Sequence, residues 1–384
     1  MIRIAVFTYY GLDKGGTEKF LQTVSALLPK SKYIVDYYYI NSNPKKVSSV
    51  KKEYLKNNNV NLIPYYCDEV FAKKRYVYQI NTTFFDVFKG ADLILTGSSG
   101  FTEQILEHIK NIPIIQTIHY VDGADNQYNI SRVLHISNFS KNMWVKKGGD
   151  ESRTEFISHP IFIPNYKKID IRKQLGISPN TFVFGLHQRD NDYIFSDIPL
   201  KAYAKVETNE TAFIICGGSK KYKEQAKNLN LKNVYFLEAT DSNDIIYSFL
   251  ESLDVYAHGR YDGELNSTAL AEAMYFGLPI ITHPSDIYNG QLEVIDGNGF
   301  VARNYLEYAD KMYLLMNDKD LYNSCVEGSK RMFIKKYDPD IQIQKIMDIF
   351  EDVLKNPYPN KIRRKVLGIK NTFYVTIKKI AAKL

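Results

Sequence analysis

Val255-Tyr-Ala-His-Gly-Arg-Tyr-Asp-Gly-Glu264-Leu-Asn-Ser-Thr-Ala-Leu-Ala-Glu272-Ala-Met-Tyr-Phe-Gly277-Leu-Pro-Ile-Ile-Thr282 is the stretch that decides the reading of the chain. Val255–Ala257 is a short apolar run suited to a strand, and a polar loop follows it. Asn266, Ser267 and Thr268 suit a helix N-cap, and Gly277 suits the residue just past a helix end. Ile280–Thr282 then reads as the next strand. Such a unit turns free N–H groups and the positive end of the helix dipole toward the loop, where an anion is stabilised. Glu264 stands at the mouth of that site and Glu272 about two turns inside the helix, at 3.6 residues per turn. A carboxylate beside a phosphate site is unfavourable unless it holds hydroxyls. Sugar and ribose hydroxyls are the obvious candidates.

Working outward, short apolar β-branched runs alternate with amphipathic stretches, the pattern of parallel sheets built from βα units. One set of strands is expected at Ile4–Thr8, Ile34–Tyr39, Leu93–Thr96, Ile114–Thr117 and Val133–Ile136. A second set is expected at Phe182–Leu186, Ala212–Cys216, Val234–Leu237, Val255–Ala257 and Ile280–Thr282. Helices are expected at Thr17–Leu28, Asn243–Leu250, Leu306–Asn317, Leu321–Lys336 and Pro339–Leu354. The Pro-punctuated run His159-Pro-Ile-Phe-Ile-Pro-Asn165 reads as a linker between two doubly wound halves with a cleft between them. The expected organisation is thus residues 1–163, 164–338, a helix over 339–355 and a tail over 361–384.

Composition sets the outer bounds. The chain has 384 residues with 45% hydrophobic content, enough for two or three globular domains. Three widely spaced cysteines, Cys67, Cys216 and Cys325, form no metal pattern and point to a reducing compartment. No signal peptide is evident and no apolar run approaches a membrane span, so a cytoplasmic protein is expected. The net charge of +7 is localised, because eight Lys or Arg and no acid lie between Lys361 and Leu384, and the remainder sums to −1. That asymmetry argues against a nucleic-acid partner and for a dedicated surface-binding tail.

Glu-Ala-Met-x-x-Gly-x-Pro-Ile-Ile-Thr, which begins at Glu272, resembles the retaining glycosyltransferases of family 4. The resemblance covers roughly Met1 to Leu354 and is strongest from Val255 to Gly299. It implies an α/β fold of two Rossmann-like doubly wound domains facing across a cleft (GT-B). The C-terminal helix would cross back, and the basic amphipathic tail is extra. It implies that Glu264 meets the donor sugar and Glu272 the nucleotide ribose, with Asn266, Ser267 and Thr268 at the helix start beside the phosphates. Gly15-Gly16-Thr17-Glu18 at the first strand–helix junction, after Thr8-Tyr-Tyr-Gly11, resembles the family's loop next to donor phosphate and acceptor. His119, after the strand Ile114–Thr117, matches a histidine lining the donor-sugar site, and Arg189 a diphosphate-binding arginine.

The family's lysine five residues after that arginine is here Ile194, so Lys201 or Arg260 would have to supply the missing charge. Glu238 and the Asn289-Gly290-Gln-Leu-Glu293 loop fall where the family contacts base and donor, or are ordinary loops. Asp190-Asn-Asp192 spells D-x-D, a metal-nucleotide signature of another glycosyltransferase fold; with two Rossmann-like halves, no metal or other cofactor is expected. The expected partners are a nucleoside-diphosphate sugar and a glycan or lipid-linked acceptor. A nucleotide-sugar epimerase or hydrolase, or a silent binding protein of the same fold, are the alternatives. On a helix, Ile362, Val366, Ile369, Phe373, Ile377, Ile380 and Leu384 fall within an arc of about 80° at 100° per residue. The tail is therefore expected to dock on an anionic membrane surface, placing the protein peripherally on the inner face.

Overall fold

The structure, a computed structural model, describes residues 1–8, 11–12, 15–40, 47–65, 67–72, 75–80 and 87–381. Tyr9 and Tyr10 of the first loop and the last three residues of the basic tail lie outside the described residues. The chain divides into two units: Met1–Pro160 with Pro339–Leu384, and Ile161–Asp338.

The first unit contains β1 (Ile2–Phe7), α1 (Gly16–Leu27), β2 (Tyr33–Ile40), α2 (Ser49–Asn57) and β3 (Asn61–Tyr65). A hairpin of β4 (Cys67–Ala72) and β5 (Arg75–Ile80) follows, then β6 (Leu93–Ser98), α3 (Gln104–Glu107), β7 (Ile114–Ile118), β8 (Ile130–His135), α4 (Asn138–Lys146) and β9 (Thr154–Phe156). Seven strands form one parallel sheet in the order β3-β2-β1-β6-β7-β8-β9. Ile4, Ala5, Val6 and Phe7 are all buried, as expected of a strand covered on both faces. The strand order reverses between β1 and β6. In open α/β sheets such a reversal leaves a crevice at the carboxyl ends of the strands.

The second unit contains α5 (Ile171–Gln174), β10 (Phe182–Gln188), α6 (Ile198–Val206), β11 (Thr211–Gly217), α7 (Lys220–Asn228), β12 (Val234–Leu237), α8 (Asn243–Glu251) and β13 (Val255–Ala257). It continues through α9 (Thr268–Tyr275), β14 (Ile280–Thr282), β15 (Gly299–Val301), α10 (Tyr305–Asn317) and α11 (Lys319–Tyr337). Its parallel sheet runs β12-β11-β10-β13-β14-β15, the 3-2-1-4-5-6 order of a Rossmann fold, with the reversal between β10 and β13. Its core holds Phe184, Ile214, Tyr256, Leu270 and Met274.

The chain then returns to the first unit. In α12 (Pro339–Lys355), Ile346, Phe350 and Val353 join Ile4, Val6, Phe20 and Leu95 in one core. α13 (Lys361–Ala381) carries the basic tail. It is helical through Gly368, a residue that disfavours helix, which lies against Asn111. Arg363 covers the Tyr128 ring at 4.5 Å and Arg364 is buried, while Ile362, Val366, Ile369, Phe373 and Ile377 face outward, 47–77% exposed. Among the described residues, no helix is long and apolar enough to cross a membrane.

Candidate active site

The sheet of the second unit brings Glu264 to its point of strand reversal. The loop after β13 turns at Gly263, whose φ of +64° and approach to the Tyr288 carbonyl (1.8 Å from where a Cβ would stand) admit only glycine. The Glu264 backbone is clamped on both sides: its N–H donates to Gln291 Oε1 at 2.9 Å, and its carbonyl accepts from Gly290 N–H at 2.7 Å. Its carboxylate accepts from Ser267 Oγ at 3.0 Å, faces His258 Nε2 at 3.4 Å, and has Arg260 Nη1 at 3.8 Å. Burial alone pushes this carboxyl up. The His258 hydrogen bond, the Arg260 charge and Ser267 outweigh burial and hold it below the usual carboxylate range, so Glu264 is ionised at neutral pH.

Ser267 has two tasks. Its Oγ accepts from Leu270 N–H at 3.2 Å, which caps α9, while it donates to Glu264. The N–H groups of Thr268 and Ala269 belong to the first turn and have no intrahelical acceptor, so they point at whatever occupies the helix start. Asn266 accepts from Tyr337 OH at 3.2 Å, and its Nδ2 is buried with no partner among the described residues. Glu272 is 6% exposed inside α9, 3.4 Å from His187 Nε2 at the end of β10.

Each glutamate thus faces a histidine at a strand end. His258 is fixed in turn by Thr282 Oγ1 at 2.8 Å, and His187 by Tyr256 OH at 3.2 Å. His187 and His258 were not among the expected site residues, whereas Gln291 lies in the Asn289–Glu293 loop expected at the base or donor. Their signal was position, since His187 and His258 each stand where an apolar strand run gives out.

The cations are placed less uniformly. Arg189 is exposed just past β10, and its side chain makes no hydrogen bond or ion pair among the described residues. Arg260 is held by both oxygens of Asp262, at 2.6 and 3.0 Å. Lys201 on α6 pairs with Asp197 one turn back and lies 6.0 Å over the Tyr305 ring. Glu238 is exposed beyond β12, 3.7 Å from Lys223. A cavity of about 380 Å3 opens beside the Glu264 loop, between Phe195–Ile198, Tyr261 and His283–Asp286. Its walls carry Asp197 and Asp286 and no lysine or arginine, so it suits hydroxyls better than a diphosphate. His283 there donates from Nδ1 to the Pro284 carbonyl and accepts at Nε2 from Ser196 Oγ and Arg260 N–H. It is a neutral imidazole, pushed down to about 4 by burial.

In the first unit, Gly15 precedes α1 and leaves room for the Glu18 carboxylate, whereas Gly16 faces open space. His119 follows β7 and belongs to a hydrogen-bond run of fixed direction. Thr117 Oγ1 donates to the Thr96 carbonyl at 3.0 Å, so it must accept from His119 Nε2–H, also at 3.0 Å. His119 Nδ1 then accepts from His159 Nε2–H at 3.3 Å. Burial pushes His119 down to about 3, which keeps the ring neutral. Phe20 packs against both histidine rings at 5.0–5.1 Å. At the start of α3, after β6, Glu103 is pushed up to about 7 by burial and by the charge of Glu18.

Residues 167–332 match the family model of glycosyl transferases group 1. No curated protein sequence matches the chain. Among solved structures, Anabaena HepE in complex with UDP is similar at 18% identity and TM-score 0.71, covering 92% of this chain and 100% of that one. A glycosyltransferase from Rickettsia africae has 14% identity and TM-score 0.72, with 92% and 99% covered. S. aureus TarM, in complex with UDP and α-GlcNAc-glycerol among others, has 14% identity and TM-score 0.62, with 91% and 100% covered. The stretch that matches the glycosyl transferases group 1 model thus holds both glutamates, and the chain has the GT-B fold.

Proposed function

We propose that the protein is a retaining glycosyltransferase that takes its sugar from a nucleoside diphosphate. The second unit binds the donor, and the first binds a glycan or lipid-linked acceptor. The observation that carries this reading is Glu264, held in its ionised form and fixed through Ser267 to the first turn of α9, with Glu272 buried about one turn along the same helix. Anion-binding amides and hydroxyl-binding carboxylates alternate there, which suits the alternating phosphates and hydroxyls of a nucleotide sugar. Glu264 takes the sugar hydroxyls, Glu272 the ribose, and Asn266, Thr268 and Arg189 the diphosphate.

The leaving diphosphate departs on the face the acceptor attacks, through an oxocarbenium-like transition state, and its growing charge is met by the α9 amides and Arg189. His119, neutral and with both ring nitrogens occupied, positions rather than exchanges protons. The reaction runs without metal: Asp192, half of the D-x-D pair, accepts a hydrogen bond from Ser219 Oγ at the start of α7, a structural task. The outward apolar stripe of α13, flanked by cations, docks the enzyme on the anionic inner face of the membrane. There it serves cell-surface polysaccharide or glycoconjugate synthesis, each cation near the surface adding about 1 kcal/mol.

HepE has been captured with UDP-glucose, so UDP-sugars head the panel that tests this reading. Thermal stabilisation and nucleotide release are measured across nucleotide sugars, with Glu264→Gln and Glu272→Gln alongside. Each variant should stay folded and lose about ten- to a hundredfold in kcat/KM, the value of one hydrogen bond to a charged group. Turnover unchanged in both removes the donor assignment.

A further inference from the structure

The crevice at the strand reversal of the first unit has a chemistry the reading above leaves unused. The loops after β6 and β7 are zipped together there: His119 N–H donates to the Ser98 carbonyl, Asp122 N–H to the Ser99 carbonyl, and Thr102 N–H to Asp125 Oδ2. Gly100, at a φ of +101°, comes so close to Gly123 that an added Cβ would stand 2.1 Å from the Gly123 carbonyl. The loop contact therefore depends on glycine at that position. In return, the tip of the Phe101 ring rests on Gly123, with Cζ 2.0 Å from where a side chain would begin.

The rest of that ring is open, 53% exposed, and Tyr120 stands 46% exposed on the second loop. What distinguishes this aromatic pair from the other exposed rings is its place, on two loops bonded to each other at the carboxyl ends of β6 and β7 beside the strand reversal. Glu103 is two residues from Phe101, close enough to Glu18 to feel its charge. Thr102 Oγ1 and Gln116 Oε1, both buried beside the loop, have no protein partner among the described residues.

We propose that these loops form the acceptor platform, with Phe101 stacking against the apolar face of a sugar ring and Glu103 and Glu18 binding its hydroxyls. The acceptor end is then an uncharged sugar rather than a phosphate. Among the described residues a phosphate oxyanion would meet the carboxyl groups of Glu103 and Glu18. The Lys147 ammonium on the second loop is already committed to the Val121 and Asp122 carbonyls at 2.8 and 2.9 Å. Hydroxyls, by contrast, donate to carboxylates. Sugar C–H faces stack on aromatic rings through dispersion and apolar burial. The assignment rests on the glycosyl-transfer reading and deepens it by naming the acceptor class.

The protein supplies its own reporter. Trp144 is the single tryptophan, fully buried, with Cδ1 3.4 Å from the Cβ direction of Gly100. Titration of the full chain, without nucleotide, would follow its emission against methyl glycosides of glucose, galactose and N-acetylglucosamine, with glycerol 3-phosphate as the anionic probe. At least one glycoside should give a saturable change. Phe101→Ala should weaken it tenfold or more, Phe101→Tyr should keep it, and Glu103→Gln should weaken it several-fold while leaving unliganded emission intact. Silence from every glycoside, tighter binding of glycerol 3-phosphate, or equal affinity in Phe101→Ala overturns the platform. If Phe101→Ala does not fold, the Glu103→Gln and Phe101→Tyr pair decides. Nucleotide-sugar stabilisation of the wild type is read separately, so failure of the donor reading and failure of the platform give different results.

Discussion

Glu103→Gln tests the electrostatics of the first unit through stability alone. In the folded protein the Glu103 carboxyl is raised from 4.5 to about 7, first by burial and then by Glu18. Below the unfolded value both states hold the proton, and the residue costs nothing. Between 4.5 and 7 only the folded state holds it, so stability falls as pH rises, and above 7 the full cost is present. A shift of about 2.5 units at 1.36 kcal/mol per unit gives a ceiling of about 3 kcal/mol. Water entry and relaxation lower that ceiling.

Glutamine has no charge to bury, so the variant should match the wild type near pH 4.5. It should exceed the wild type by about 1–3 kcal/mol at pH 8.5. With a urea slope of about 1–3 kcal/mol/M, the midpoint moves by on the order of 1 M. Trp144 emission is the right assay, because the single tryptophan lies in the first unit and reports its unfolding apart from the second. Glu18→Gln should give a smaller gain with the same pH sign, since its charge is the lesser cause. A stability difference that is independent of pH, or that grows toward low pH, would refute the reasoning.

Three further outcomes are expected. Arg189→Ala should weaken nucleoside diphosphate binding more than monophosphate binding, measured by calorimetry; equal losses remove its diphosphate role. Turnover should survive exhaustive EDTA treatment, and loss restored by manganese would instead make Asp190 and Asp192 metal ligands. Truncation after Asn360 should abolish co-sedimentation with anionic liposomes at low salt while donor hydrolysis persists. Retained sedimentation, or unfolding, would make α13 a structural element.

The central strands were legible in the sequence because burial on both faces demands a continuous apolar run; β10, β13 and β14 begin where those runs begin. The strands that sequence reasoning omitted from the two large sheets, β3, β9 and β15, are all edges. Edge strands are half-solvated and short, and β3 even carries Pro64, which an edge tolerates. The hairpin β4–β5 falls outside the βα alternation altogether. Within the candidate site, Glu264 and Ser267 were legible because a helix cap has a local signature. Their partners His258, His187 and Gln291 come from other strands and loops, and such pairing is a property of topology. The charge on Lys201 was legible, but its commitment to Asp197 was not.

The shared hydroxyl of Ser267 narrows what a mutational library can find there. At an ordinary N-cap, Ser, Thr, Asp and Asn are close to interchangeable. Here the same oxygen must accept from Leu270 N–H and also give a proton to Glu264. Aspartate can do the first but would set a second carboxylate against Glu264. Asparagine can accept through its oxygen, but its donor sits on a different atom with a different reach. Alanine removes both bonds at once. Threonine alone reproduces the bifunctional hydroxyl, so the start of this helix and the chemistry at its mouth are inherited together as one genetic unit.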